Sequence, residues 1–410
     1  MLLWPPVNLA TGRLQAVTSA GCPTKGSGAY QSEKPRQPPF SRTTVDPDLV
    51  FRLSGGVSAV GSSDLLSSLL RDVSRSFYLT LRILPGGIGR PIGLAYLLAR
   101  ATDTLADTEL VPVGERLAAL DALRARIRGD RREPLDFSRI AGAQNAGASS
   151  AERRMLLRIE EAIAALGSMD SGDVSRIRQV LDVITGGQEL DLKRFGSLPS
   201  GQVAALPDAA ALDDYTYRVA GCVGEFWTRM CLAHLFTVDA ASEPRLLRDG
   251  IRFGQGLQLV NILRDLPKDL AQGRCYLPAD ELAAVGLGPA DLRDPTNELR
   301  LGPVYHRWLA RADGHLDAGW AYTTSLPRGQ VRMRLACAWP VLLGIRTLVK
   351  LRGGGVLDPS RRIKVSRAEV KAVLWRSVVR LPLGTWWDDL APWARTTGTS
   401  STGGTSSTSP

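Results

Sequence analysis

Asn261, Asp265 and Asp269 recur every fourth residue through a stretch that is otherwise apolar or small: Phe253, Gly254, Gly256, Leu257, Leu259, Val260, Ile262 and Leu263. In a helix, residues four apart stack on one face. The pattern predicts a helix carrying a single amide and carboxylate stripe through apolar surroundings. A buried face bearing Gln258, Asn261 and two aspartates needs partners, because uncompensated buried polar groups and charges are costly. The fold must therefore set a second polar surface, or a ligand, against this stripe. Pro267 lies within the stretch, and it is expected to kink or end the helix and carry Asp269 off the ideal line.

A second pair of acids answers the first. Asp103 and Asp107 are also four apart, and Arg100 lies one turn before Asp103. The preceding turns, from Ile92 through Ala101, are apolar, so the acids close a greasy helix. Taken alone, such a pair also suits a solvated helix face. Two carboxylates side by side repel each other unless a cation lies between them. Mg²⁺ suits such a place, since it takes oxygen ligands, keeps waters and accepts substrate phosphates. The combined pattern points to Asp103, Asp107, Asn261, Asp265 and Asp269 as a metal–diphosphate site, with structural ion pairing as the alternative. Arg100 and Arg264 can add charge-assisted hydrogen bonds to phosphate oxygens. An apolar helical cavity between the clusters would hold a lipid tail away from water.

The rest of the chain is helical in pattern. Asp64 can cap a helix bearing Leu65, Leu66, Leu69, Leu70 and Val73, and Pro91 sits where a helix can start. Residues 152–166, 173–195, 213–236, 243–266 and 303–324 also read as helices, and strand-like alternation is rare. Residues 1–60 are rich in Gly, Pro, Ser and Thr and are expected to be disordered, as is the tail 386–410; 141–150 reads as a loop. The expectation is one all-α domain over 61–385.

The 410 residues carry a net charge of +10, compatible with anionic substrates or lipid surfaces. Nucleic acid is the weakest partner reading, because no zinc-finger or RNA-binding signature occurs. Five widely spaced cysteines without a CxxC read as reduced thiols, and three histidines without a zinc pattern argue against a zinc enzyme. No apolar run of membrane-spanning length and no signal peptide are read. A cytoplasmic protein is expected, with peripheral contact at the inner face of the membrane through its basic end. That end carries Arg346, Lys350, Arg352, Arg361, Arg362, Lys364, Arg367, Lys371, Arg376 and Arg380 against Asp358 and Glu369. A solvated basic helix is the other reading of this stretch.

Four ordered motifs resemble the squalene/phytoene synthase family over residues 70–375. Ser74-Arg75-Ser76-Phe77 resembles its SRSF segment, and RATDTLAD (100–107) its first aspartate-rich motif. NILRDLPKD (261–269), followed by Gly273-Arg274-Cys275-Tyr276-Leu277-Pro278, resembles the second motif and its trailing segment. Tyr215 to Gly224 resembles the family's Y-x-x-x-V-A-G-x-V-G helix. The resemblance implies an all-α isoprenoid synthase bundle around a central apolar cavity, Mg²⁺, and farnesyl or geranylgeranyl diphosphate as substrate. It implies head-to-head condensation through a cyclopropylcarbinyl diphosphate. The expected reaction joins two farnesyl diphosphates through presqualene diphosphate to squalene, with NADPH supplying hydride. Phytoene, dehydrosqualene or presqualene diphosphate formation are alternatives, and a non-catalytic scaffold is the alternative of another class. Ser74, Arg75, Ser76, Phe77, Arg100, Gln258, Arg264 and Arg274 are the expected substrate-binding residues. Arg274, Lys364 and Arg367 are the candidates for NADPH.

Two departures matter. Ala106 stands where squalene synthases often carry an acid, and Arg218 where many carry tyrosine. The aromatic role in cation stabilisation or proton transfer then falls to Tyr215 or Tyr217, for which helix packing is an equally good reading. Gly186-Gly187 either makes room for a prenyl chain or breaks a helix.

Overall fold

The computed structural model describes residues 64–74, 77–143, 150–380, 387 and 389–396. In chain order the helices are α1 (Asp64–Ser74), α2 (Phe77–Ile83), α3 (Gly86–Ala106), α4 (Val113–Arg128), α5 (Ser138–Ala143), α6 (Ser150–Leu157), α7 (Ile159–Gly167) and α8 (Ser171–Phe195). The short strand β1 (Ala204–Leu206) precedes α9 (Ala209–Thr216), which runs through a π-helical turn (Tyr217–Gly221) into α10 (Cys222–His234). Then follow α11 (Glu243–Ala271), β2 (Arg274–Pro278), α12 (Ala279–Ala284), two 3₁₀ turns, α13 (Glu298–Ser325), α14 (Val331–Leu351), α15 (Arg367–Arg380) and α16 (Leu390–Arg395). The all-α expectation holds, with one parallel strand pair, β1–β2, added to it. No helix among the described residues is long and apolar enough to cross a membrane.

Two apolar clusters make the core. One gathers α3, α4, α6, α7, α8 and α10 around Ile92, Leu97, Leu123, Met155 and Ile177. The other gathers α11, β2, α13 and α14 around Leu259, Leu277, Trp308, Leu316 and Leu342. Helix α11 packs along α13 and α10 and is the spine joining the halves.

Several expected boundaries move. Pro91 lies inside α3, which begins at Gly86. The helix expected over 152–166 breaks at Arg158, which leaves helical geometry at φ −117° and ψ 21°. Pro267 does not end α11, which continues to Ala271. The missing amide of Pro267 leaves the Leu263 carbonyl without its helical donor. The Tyr305 hydroxyl of α13 donates to that carbonyl at 3.0 Å, so the cost is met from a neighbouring helix. The helical unit also reaches beyond 385. Within the expected tail, α16 buries Leu390, Ala391 and Ala394, and Trp393 lies under the Arg346 guanidinium. In the sequence this short apolar face is easily missed beside the Thr/Ser/Gly-rich residues that follow. The extension 1–60 lies outside the described residues.

Candidate active site

Helix α3 ends in the first pair of acids. Asp103 is buried and accepts from Arg100, whose second guanidinium nitrogen donates to Glu152 of α6. Burial opposes the Arg100 charge, but Asp103 and Glu152 outweigh it and hold the guanidinium more firmly protonated than usual. Asp107 has both carboxylate oxygens buried without a hydrogen-bond partner among the described residues. Burial, and then Asp103, push its pKa well above the usual carboxylate range; Arg274 and Arg100 offset this only in part. Arg116 caps the same end, donating from Nη1 to the Ala106 carbonyl at 2.8 Å.

Helix α11 carries the second stripe. Asn261 and Asp269 are buried, and Asp265 receives Nε and Nη2 of Arg264 at 2.8 and 2.6 Å. Because α11 continues past Pro267, Asp269 stays on the stripe. Burial first, and then the Asp265 charge, raise its pKa to about 8 against the opposing Lys268 and Arg274.

A buried group between the two helices was not assigned a role from the sequence. Asp191, on α8, accepts from Arg274 Nη1 at 3.4 Å and from the Tyr276 hydroxyl at 3.2 Å. Burial raises its pKa to about 6, with Arg274 and Tyr276 pulling it back. Arg274 and Tyr276 come from β2, whose register on β1 pairs Ala204 with Arg274. The chain turns from α11 into β2 at Gly273, where φ is +79° and a Cβ would meet the Gln202 carbonyl oxygen at 2.8 Å. Tyr215 stacks on Tyr276 at 4.6 Å between ring centroids. Arg274 and Asp191 act electrostatically on both Asp107 and Asp269, so the two acidic helices share one charged centre.

The expected apolar cavity is present as a cleft partly open to solvent, lined by Val219, Val223, Trp227, Phe253, Leu257 and Tyr322. It lies at the seam of the two core clusters. Gln258 and Asn261 also line it, so the apolar space and the acidic stripe meet along one face of α11.

Other expected residues separate. Tyr217 is taken up by another partner, donating to Glu225 Oε2 at 3.1 Å. Burial and then Glu225 raise its pKa to about 12. Gly186 and Gly187 neither break α8 nor line the cavity. A Cβ on Gly187 would meet Arg218 Cβ at 2.9 Å, so this glycine lets the π-helical turn close on α8. Ser74 closes α1 and Phe77 opens α2, while Arg75 and Ser76 lie outside the described residues. Lys364 and Arg367 are exposed at the start of α15, which packs mainly on α14 and α16, whereas Arg274 is buried against Asp191.

Among the described residues no three His, Cys, Asp or Glu side chains form a ready metal cage. The donors are instead split between two helices, and Asp107 holds two buried oxygens that a cation would satisfy. That division suits a hard divalent ion completed by water and phosphate oxygens.

A model of the squalene/phytoene synthase family matches residues 70–369. A presqualene diphosphate synthase of Zymomonas mobilis is 31% identical over 320 residues, covering 77% of this chain and 91% of its own. One of Rhodopseudomonas palustris is 28% identical, covering 73% and 91%. A bifunctional lycopene cyclase/phytoene synthase of Gibberella fujikuroi is 27% identical over 77% of this chain but only 52% of its own. A solved ligand complex of TcSQS superposes with a TM-score of 0.64 at 20% identity, covering 82% of this chain and 92% of that one. A dehydrosqualene synthase structure gives 0.54 at 19% identity, covering 82% and 100%.

Proposed function

The chain belongs to the squalene/phytoene synthase family, and from that premise we propose that it joins two farnesyl diphosphates head to head and releases presqualene diphosphate. The observation that carries the reading is the shared charged centre set against an apolar cavity, the two meeting at Gln258 and Asn261. A prenyl diphosphate has the same division, an anionic head on a greasy chain. Arg100, Arg264 and Arg274 bind and orient diphosphate oxygens. Asp103 and Asp107 on one side, with Asn261, Asp265 and Asp269 on the other, hold Mg²⁺. The ion, when bound, neutralises the diphosphate and stabilises it as a leaving group. The lining of Val219, Val223, Phe253 and Leu257 keeps water from the allylic cation.

Ring closure bonds C1 of one farnesyl unit to C2 and C3 of the other, expelling one diphosphate and one proton from that C1. In this reading the proton leaves through Tyr215, which takes it up as it passes its own hydroxyl proton to Tyr276, whose hydroxyl donates in turn to Asp191. Asp191, its pKa pushed up to about 6 by burial, is the carboxylate on which that proton ends.

Release at presqualene diphosphate is proposed in place of the sequence-based expectation of squalene. Two relatives of that name align over nine-tenths of their length. Squalene also needs hydride from a nicotinamide cofactor. Of the basic residues expected to hold NADPH, Arg274 is assigned above to the diphosphate, while Lys364 and Arg367 stand exposed beside and on α15. A scaffold role is disfavoured by Asp107, whose two buried oxygens would be a standing cost without a ligand. Mass spectrometry of the products from farnesyl diphosphate and Mg²⁺, with and without NADPH, tests the reading. Presqualene diphosphate under both conditions is expected. Squalene appearing only with NADPH would restore the earlier expectation, and phytoene from geranylgeranyl diphosphate alone would replace both.

A further inference from the structure

The basic C-terminal run divides in two. The cations along and just past the end of α14 are engaged: Arg346 lies over the Trp393 ring, Lys350 pairs with Glu369 at 3.2 Å and Arg352 with Asp313 at 2.8 Å. Residues 361–380 then hold seven Lys or Arg against Glu369 alone, a net +6 within a chain whose total is +10. Helix α15 seats one face on α14. Val373 and Ser377 are fully buried there, and Trp339 of α14 donates to Ser377 Oγ at 2.9 Å. The opposite face carries Lys371, Trp375 and Val379 at four-residue spacing, one stripe along the helix. Trp375 is 58% exposed and Val379 44%. Other exposed large apolar side chains, such as Leu110 and Leu299, are not paired in this way on a cationic helix.

We propose that this outer face of α15 docks on the surface of an anionic phospholipid bilayer. Trp375 and Val379 enter the headgroup boundary, and Lys364, Arg367 and Lys371 meet lipid phosphates, while Arg376 is held over the Trp393 ring. Charge complementarity selects the partner. The helix's one acid, Glu369, is turned to Lys350, so the outer face presents cations without a carboxylate among them. The apolar pair separates a bilayer from a nucleic acid or acidic protein, because an aliphatic Val beside a Trp gains most from the acyl boundary. Docking also has a consequence that rests on the function proposed above. Trp339 of α14 faces α15, while Ala336, Cys337 and Pro340 of the same helix line the cavity. The cavity then lies one helix away from lipid, about 10 Å by ordinary helix spacing, and a greasy product has a short path to the bilayer.

Flotation of the full chain with phosphatidylcholine vesicles, with and without phosphatidylglycerol, tests the proposal. No substrate is present, so the result is independent of the reaction assigned. Binding to the anionic vesicles alone is expected, weakening as salt screens the charges. Lys371→Glu should lower the partition coefficient by at least about fivefold. Trp375→Ser should lower it about tenfold, while Trp375→Phe retains it and loses the part of the tryptophan quenching that brominated lipid produces in the wild type. Equal binding to neutral vesicles would overturn the proposal. So would salt-sensitive binding indifferent to Trp375→Ser, which would mark a charge-only patch of the kind that meets nucleic acid.

Discussion

Among the described residues Asp107 holds two buried oxygens without a protein donor, and Asp265 pairs with Arg264. If both hold a cation on the diphosphate, Asp107→Asn and Asp265→Asn should each lower turnover by about 10²–10³-fold with the helical circular dichroism unchanged. Wild-type turnover in either variant would remove that residue from the site. Asp269 allows a test of the same idea through stability. Its pKa in the folded chain is about 8, raised by burial and by Asp265 from an ordinary value of 3.8. As pH rises through that interval the unfolded chain loses this proton before the folded one, so the folded state loses stability. In chelator, the wild type should therefore be less stable at pH 8 than at pH 5, and Asp269→Asn should recover on the order of 1–2 kcal/mol at pH 8. Denaturant midpoints at the two pH values would show it, and a wild type equally stable at both would argue against the buried charge. The aspartates of the two motifs were legible because their four-residue spacing interrupts apolar helices. Asp191 was not legible as a site residue. Its partners Arg274 and Tyr276 are more than eighty residues away, and only the β1–β2 pairing and the turn at Gly273 bring them together. Their own motif was visible, but what they faced was not.

Helix α11 positions the site because it approaches α10 backbone to backbone. A Cβ on Gly224 would fall 1.8 Å from the Gly250 carbonyl oxygen, and one on Gly254 2.1 Å from that of Ala220. Neither neighbour is a side chain that can swing aside. Gly224→Ala should therefore cost about 3 kcal/mol, the upper end of ordinary overpacking. Gly314→Ala, on the same class of helix but with nothing within 4 Å of its Cβ, should instead gain about 0.5–1 kcal/mol. Urea midpoints of the two variants check the contrast, and similar shifts in both would contradict the close approach. At this scale the existence of the helices was readable from apolar spacing, and their ends were less so. Pro267 shows why. Its local preference is to stop a helix, but Tyr305 supplies from outside the hydrogen bond that the ring removes. Sequence reasoning about α11 alone has no access to α13. Gly187 makes the same point, since its smallness answers to Arg218 on another element.

The molecule places an apolar cavity at the seam of two core clusters, with the charged centre at one end and α14 between it and the outer basic helix. The all-helical class followed from the pattern alone, whereas the reach of the helical unit to Arg395 depended on the way Leu390 and Ala394 pack, which their polar neighbours concealed. The central claim is that this arrangement joins two prenyl chains head to head. Farnesyl diphosphate labelled with carbon-13 at C1, incubated with the full chain and Mg²⁺, tests it most directly by NMR of the product. The account predicts two labelled signals of equal intensity, one from a cyclopropane carbon and one from the neighbouring carbon that still bears diphosphate. Label found only in farnesol, or in a linear head-to-tail product with no ring carbon, would contradict it.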